Sequence, residues 1–140
     1  MKVLLDTNVV LDILLNREPF VDDAAMIVSK IERGELTGFL CATTITTIHY
    51  LATKSIGSQK AEKHIQTLLA LFEIAPVNRI VLENALKGKW KDYEDSVLQE
   101  SAVHSGVEYI ITRDVSGFKN SKLPVYSPDE FLTILETITH

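Results

Sequence analysis

The chain has 140 residues, of which 46% are apolar and 24% charged, with a formal net charge of −5. This length suits one domain, residues 1–140, burying roughly two-thirds of the surface its unfolded chain would expose. Cys41 is the lone cysteine, which excludes an intramolecular disulfide and a zinc–cysteine cluster, and the acidic balance argues against nucleic-acid binding through bulk positive field.

Lys2 to Leu5 is short, apolar and bounded by Asp6, which predicts a fully buried strand. A short helix follows, with Val9, Val10, Ile13 and Leu14 on its apolar face. Pro19 interrupts the chain before a second helix, whose stripe is Ala24, Ala25, Ile27, Val28 and Ile31 and whose C-terminal cap is Gly34. Gly38 to Ala42 reads as the next strand, with Cys41 a small buried hydrophobe. Thr44 to Ile56 and Ser58 to Leu71 read as helices separated by Gly57. Phe72 to Ala75 reads as a short strand stopped by Pro76, and Asn78 as the N-cap of a helix through Leu86.

Lys87-Gly88-Lys89-Trp90-Lys91 is a basic loop, and Asp92 opens a helix that ends at Gly106. Val107 to Thr112 is a strand leading into Asp114, and Pro124 to Tyr126 is a short last strand. Ser127-Pro128-Asp129-Glu130 combines an N-cap, proline at the first helical position and Glu three residues after the cap, which predicts a C-terminal helix. Strands alternating with helices point to an α/β/α sandwich around a small, mainly parallel sheet.

Residues 36 to 53 carry no Lys, Arg, Asp or Glu, but six threonines, a glycine and His49 argue against a spanning helix. Asp6 interrupts the N-terminus before a signal-like apolar region can form. A cytoplasmic protein is the expectation, with no membrane association.

Two strands deliver an Asp as they end: Val3-Leu4-Leu5-Asp6 and Tyr109-Ile110-Ile111-Thr112-Arg113-Asp114. In an open parallel sheet such positions converge on the crevice where ligands bind. Asp92-Tyr93-Glu94-Asp95 starts the helix before the second of these strands. Taken alone it reads as a cap, with Asp92 at the N-cap and Asp95 three residues on. Asp6, Asp95 and Asp114 all fall on one side of the predicted sheet, and unpaired carboxylates so placed raise one another's pKa. A divalent cation removes that conflict, and hard oxygen ligands favour Mg²⁺ or Mn²⁺ over Zn²⁺. No Gly-x-Ser-x-Gly turn or phosphate-binding glycine loop is present.

Leu4-Leu5-Asp6-Thr7-Asn8-Val9-Val10-Leu11-Asp12, Asp92-Tyr93-Glu94-Asp95 and Ile110-Ile111-Thr112-Arg113-Asp114 resemble the PIN domain, especially its PilT N-terminus-like and VapC-type toxin branch. The likeness runs in order along nearly the whole chain. It implies a metal-dependent ribonuclease acting on RNA phosphodiesters, with Asp6, Asp95 and Asp114 as catalytic metal ligands and Asp92 as an auxiliary. Asn8 falls where the family holds a polar residue that orients the first Asp or a metal-bound water. The resemblance also implies a homodimer and, for a toxin, an antitoxin partner. Amphipathic helices between Ala24 and Leu71 offer an apolar face for pairing.

One position departs from the family pattern. Thr43-Thr44-Ile45-Thr46-Thr47-Ile48-His49 places His49 where the family carries a Glu. His49 is then either an auxiliary site residue, acceptable to Mn²⁺, or a partly buried helix histidine. The departure supports an alternative function, a catalytically weakened domain that binds RNA or protein. A haloacid-dehalogenase-like phosphatase is a third reading of Asp6-Thr7-Asn8, but Asn8 cannot serve as its second acid. Lys87, Lys89 and Lys91 around Trp90 are the candidate RNA contact, although a loop tryptophan commonly packs under its own loop. Arg113 is read as a surface group able to meet a phosphate, and Asp12 as a solvated charge.

Overall fold

The computed structural model describes residues 1–139. Its strands are β1 (Lys2–Leu5), β2 (Thr37–Cys41), β3 (Glu73–Ala75), β4 (Tyr109–Ile111) and β5 (Val125–Tyr126). Its helices are α1 (Thr7–Leu14), α2 (Val21–Glu32), α3 (Ala42–Ile56), α4 (Ser58–Leu71), α5 (Arg79–Lys87), α6 (Tyr93–His104) and α7 (Pro128–Thr139). A 3-10 turn, Val115–Phe118, follows β4.

The five strands form one sheet in the order β3-β2-β1-β4-β5, and every pairing is parallel. The expected "mainly parallel" sheet is wholly parallel among the described residues. Its strands are apolar because both faces are covered. Side chains alternate across the sheet: Val3, Leu5, Leu40 and Ile111 join α1, α2, α3, α4 and α7 in one core, while Leu4, Phe39, Cys41 and Ile110 join α6 in a second. Helix α5 covers α6 through Val81, Ala85 and Val97. The architecture is thus a three-layer α/β/α sandwich.

Local sequence explains the joints. Gly57 adopts φ +88 between α3 and α4, a conformation costly for any residue with a Cβ. At Gly38 a side-chain carbon would lie 2.6 Å from Ile31 and 2.8 Å from Phe72, so glycine lets α2 and the end of α4 close on β2. Ser127 and Glu130 bond reciprocally at the start of α7, as the capping pattern requires. Strand β4 is shorter than the span Val107 to Thr112, although Glu108 and Thr112 still donate backbone hydrogen bonds to Lys2 and Tyr126.

Asp12 corrects the sequence reading: it is 0% exposed, not solvated. Arg17 Nε lies 2.9 Å from its Oδ1, and Arg113 grips it with Nε at 2.6 Å and Nη2 at 3.1 Å. A buried carboxylate persists when paired and hydrogen-bonded. The chain reverses direction of strand addition between β1 and β4, placing the crevice of a parallel sheet at their carboxyl ends.

Candidate metal centre

Asp6 leaves β1 at that crevice and serves as N-cap of α1, where its Oδ1 accepts the Thr7 N–H at 2.7 Å. Its other oxygen accepts the Thr112 hydroxyl at 2.8 Å. Asp6 is 8% exposed, and burial pushes its pKa up. The Thr112 and Thr7 hydrogen bonds pull it back, and the charges of Asp114 and Glu94 raise it again.

Thr112 ties the site together and was not singled out in the sequence. Its oxygen donates to Asp6 and accepts from the Asp114 N–H at 3.0 Å and Asn8 Nδ2 at 3.3 Å. Asn8 also accepts the Arg113 N–H at 3.3 Å, so it fastens α1 to the segment after β4. The available signal was a hydroxyl ending an apolar strand two residues before an Asp.

Asp114 caps the 3-10 turn, accepting Ser116 Oγ at 3.2 Å and the Gly117 N–H at 3.3 Å. A side-chain carbon at Gly117 would lie 2.5 Å from Asp114 Oδ2, so glycine leaves room for the carboxylate to lie over its own turn. Asp92 caps α6 through the Asp95 N–H at 3.2 Å, as its capping pattern indicated. The pKa of Asp95 is pushed up to about 7, first by burial and then by Asp6, Asp92, Asp114 and Glu94. These couplings bring the three strand-end and helix-start aspartates into one electrostatic group. They add Glu94, which stood unassigned within the acidic tetrad.

Asp92, Asp95 and Asp114 line a cleft of about 680 Å³ whose rim carries Lys89, Lys91 and Lys119. Trp90 also lines it, while packing edge-on against Phe118 with ring centroids 5.5 Å apart. The tryptophan thus packs on the 3-10 turn that Asp114 caps while it also lines the cleft. Arg113 is occupied differently: beyond its grip on Asp12, its guanidinium lies 4.0 Å from the Phe20 ring centroid.

His49 is exposed on α3. The same helix approaches the site through Thr44, which accepts the Thr7 hydroxyl at 3.1 Å. Five residues further along, His49 points about 140° around the helix from Thr44. The structure does not bring it into hydrogen bonding with the carboxylates.

Whether the group could hold a cation depends on its donors. Among the described residues no three His, Cys, Asp or Glu side chains stand in ready coordination geometry. The donor set nonetheless fits a hard divalent ion: carboxylate oxygens in mutual repulsion, none of them in a salt bridge among the described residues.

The acidic crevice lies at the switch point of a parallel α/β/α sandwich. The PIN domain family matches residues 2–116, and the chain belongs to that family. It is 26% identical over 135 residues to a protein named Ribonuclease VapC1 from Aquifex aeolicus, covering 93% of this chain and 92% of that one. A toxin-antitoxin complex from Klebsiella pneumoniae shares the fold at TM-score 0.67 and 21% identity, covering 90% of this chain and 97% of the other. VapC20 from Mycobacterium tuberculosis, described as a sarcin-ricin loop cleaving toxin, aligns at TM-score 0.66 and 10% identity, over 84% of this chain and 95% of its own. No helix among the described residues is long and apolar enough to cross a membrane.

Proposed function

We propose that the protein is a metal-dependent ribonuclease, with residues 1–140 acting as one domain and Asp6, Asp95 and Asp114 holding Mg²⁺ or Mn²⁺. The observation that carries this reading is the convergence of Asp92, Asp95 and Asp114 on one cleft, where the Asp95 carboxyl is pushed up to about 7, first by burial and then by neighbouring carboxylates that a cation would neutralise. A divalent ion bound there supplies Lewis acidity for attack of water on a phosphodiester. The chain's own residues supply the rest. Thr112 and Asn8 fix Asp6 relative to Asp114. Asp92 starts α6 so that Asp95 faces the cleft, and Lys89, Lys91 and Lys119 offer positive charge to the RNA backbone. His49 takes no part in this assignment.

The relative named as a ribonuclease and the neighbour described as a cleaving toxin support an RNA substrate. The neighbouring toxin-antitoxin complex supports an antitoxin partner. A homodimer draws support from exposed Met26, Tyr50, Leu51 and Leu69 on the helices between Ala24 and Leu71, and sedimentation of a 15.7 kDa species alone at micromolar concentration would refute it. The second reading is a binding domain without turnover, favoured by the lack of a ready three-residue grouping among the described residues. RNA cleavage with Mg²⁺ or Mn²⁺ separates the two. Wild type should cleave, and Asp6→Asn and Asp114→Asn should lose both cleavage and metal binding; parental metal affinity in both variants would refute the site.

A further inference from the structure

A second cavity of about 360 Å³ opens beside the acidic cleft, and the two share Lys89, Trp90 and Asn120. That volume is at the small end for ligand pockets and suits one nucleotide. Gln99 and Glu100 of α6 line it and are 2% and 4% exposed. Buried polar groups are costly unless bonded. Gln99 Oε1 accepts the Lys122 N–H at 2.8 Å, and Glu100 Oε1 lies 2.8 Å from Lys122 Nζ. The carboxamide nitrogen of Gln99 donates to no described residue, yet it is not a sealed orphan, so it opens onto the cavity. Lys87 and Lys89 are exposed at the rim and belong to no ion pair among the described residues.

We propose that this cavity is a nucleotide subsite, which takes the base of the RNA residue next to the cleaved phosphodiester. The base edge meets Gln99, and the adjoining phosphate meets Lys87 and Lys89. The subsite depends on the ribonuclease reading of the neighbouring cleft. Its selectivity follows from the fixed amide: because Lys122 holds Oε1, turning the carboxamide over would lose that bond. Gln99 therefore offers a donor to the cavity. Placed against the exocyclic group at position 4 of a pyrimidine or 6 of a purine, a donor suits O4 of uracil or O6 of guanine and meets only an amino group in cytosine.

Fluorescence anisotropy of the metal-free protein in EDTA, with labelled pentauridylate and pentacytidylate, tests the subsite. Pentauridylate should bind about fivefold tighter, as one net hydrogen bond allows. Gln99→Met should weaken pentauridylate to the level of pentacytidylate and leave pentacytidylate unchanged. The surface pair Lys87→Ala and Lys89→Ala, made together, should weaken both equally and reduce the salt slope by about 1.4. Equal affinity of the wild type for both oligonucleotides overturns the subsite, and so does discrimination retained in folded Gln99→Met. If Gln99→Met does not fold, unchanged affinity in the double lysine variant overturns it. Should neither oligonucleotide bind, the subsite is wrong, while cleavage of longer RNA that is lost in Asp6→Asn would leave the ribonuclease reading intact.

Discussion

The Thr112 hydroxyl donates to Asp6 Oδ2 at 2.8 Å, joining two residues 106 apart in the chain at the seam between β1 and β4. The bond gives a buried carboxylate its side-chain partner and holds it against the segment that delivers Asp114. Thr112→Val keeps the shape and removes the hydroxyl, leaving Asp6 with only the Thr7 N–H. The expected cost is about 1–3 kcal/mol in urea unfolding, with weaker Mn²⁺ binding by calorimetry. Thr112→Ser should restore metal binding, which a packing role for the methyl group would not allow.

Stability without metal should depend on pH through Asp95. Its carboxyl sits at about 7 in the folded protein against 3.8 as a free side chain, so the folded state holds the proton more tightly between those values. Stability from this group is therefore greatest below about pH 4 and falls as pH rises towards 7. Asp6, also raised, acts in the same direction. In EDTA the melting temperature should be higher at pH 5.5 than at pH 8, and Asp95→Asn should flatten the profile. Saturating Mn²⁺ should reverse the trend, because the ion binds the ionised carboxylates. A melting temperature that climbs with pH in EDTA would contradict the placement of Asp95.

Arg113 serves the fold before it can serve a phosphate. With Arg17 it neutralises Asp12, whose side chain is fully buried. Arg113→Ala leaves that carboxylate with one partner and should cost on the order of 2–3 kcal/mol in chemical denaturation. Loss of RNA affinity without loss of stability would instead place Arg113 on the substrate.

His49 provides a control on the same helix that carries Thr44. Being exposed and without a polar partner among the described residues, His49→Ala should change stability by no more than about 0.5 kcal/mol. Mn²⁺ affinity should be unchanged, and His49→Glu should not raise Mg²⁺-dependent cleavage. A drop in Mn²⁺ affinity for His49→Ala would return the residue to the site.

The sequence by itself determined the order of elements and the places where carboxylates leave them. Apolar runs such as Val3 to Leu5 and Tyr109 to Ile111 carry their own strand signal, and Asn78, Asp92 and Ser127 mark helix starts, because capping and burial patterns are local. Asp6 and Asp114 were legible for the same reason, since Asp6 follows its strand directly and Asp114 comes three residues after the end of its own. Only the tertiary structure decided which polar side chains meet across the sheet. Asp12 looks solvated until Arg113, 101 residues away, folds onto it. Thr112 looks like the end of a strand until Asp6 lies beside it, and Glu94, next to Asp95 in the chain, acts on Asp6 only in the folded protein. The sequence leaves His49 open between a site residue and a helix histidine; it is exposed on α3, and a helix places residues by rotation as well as by distance.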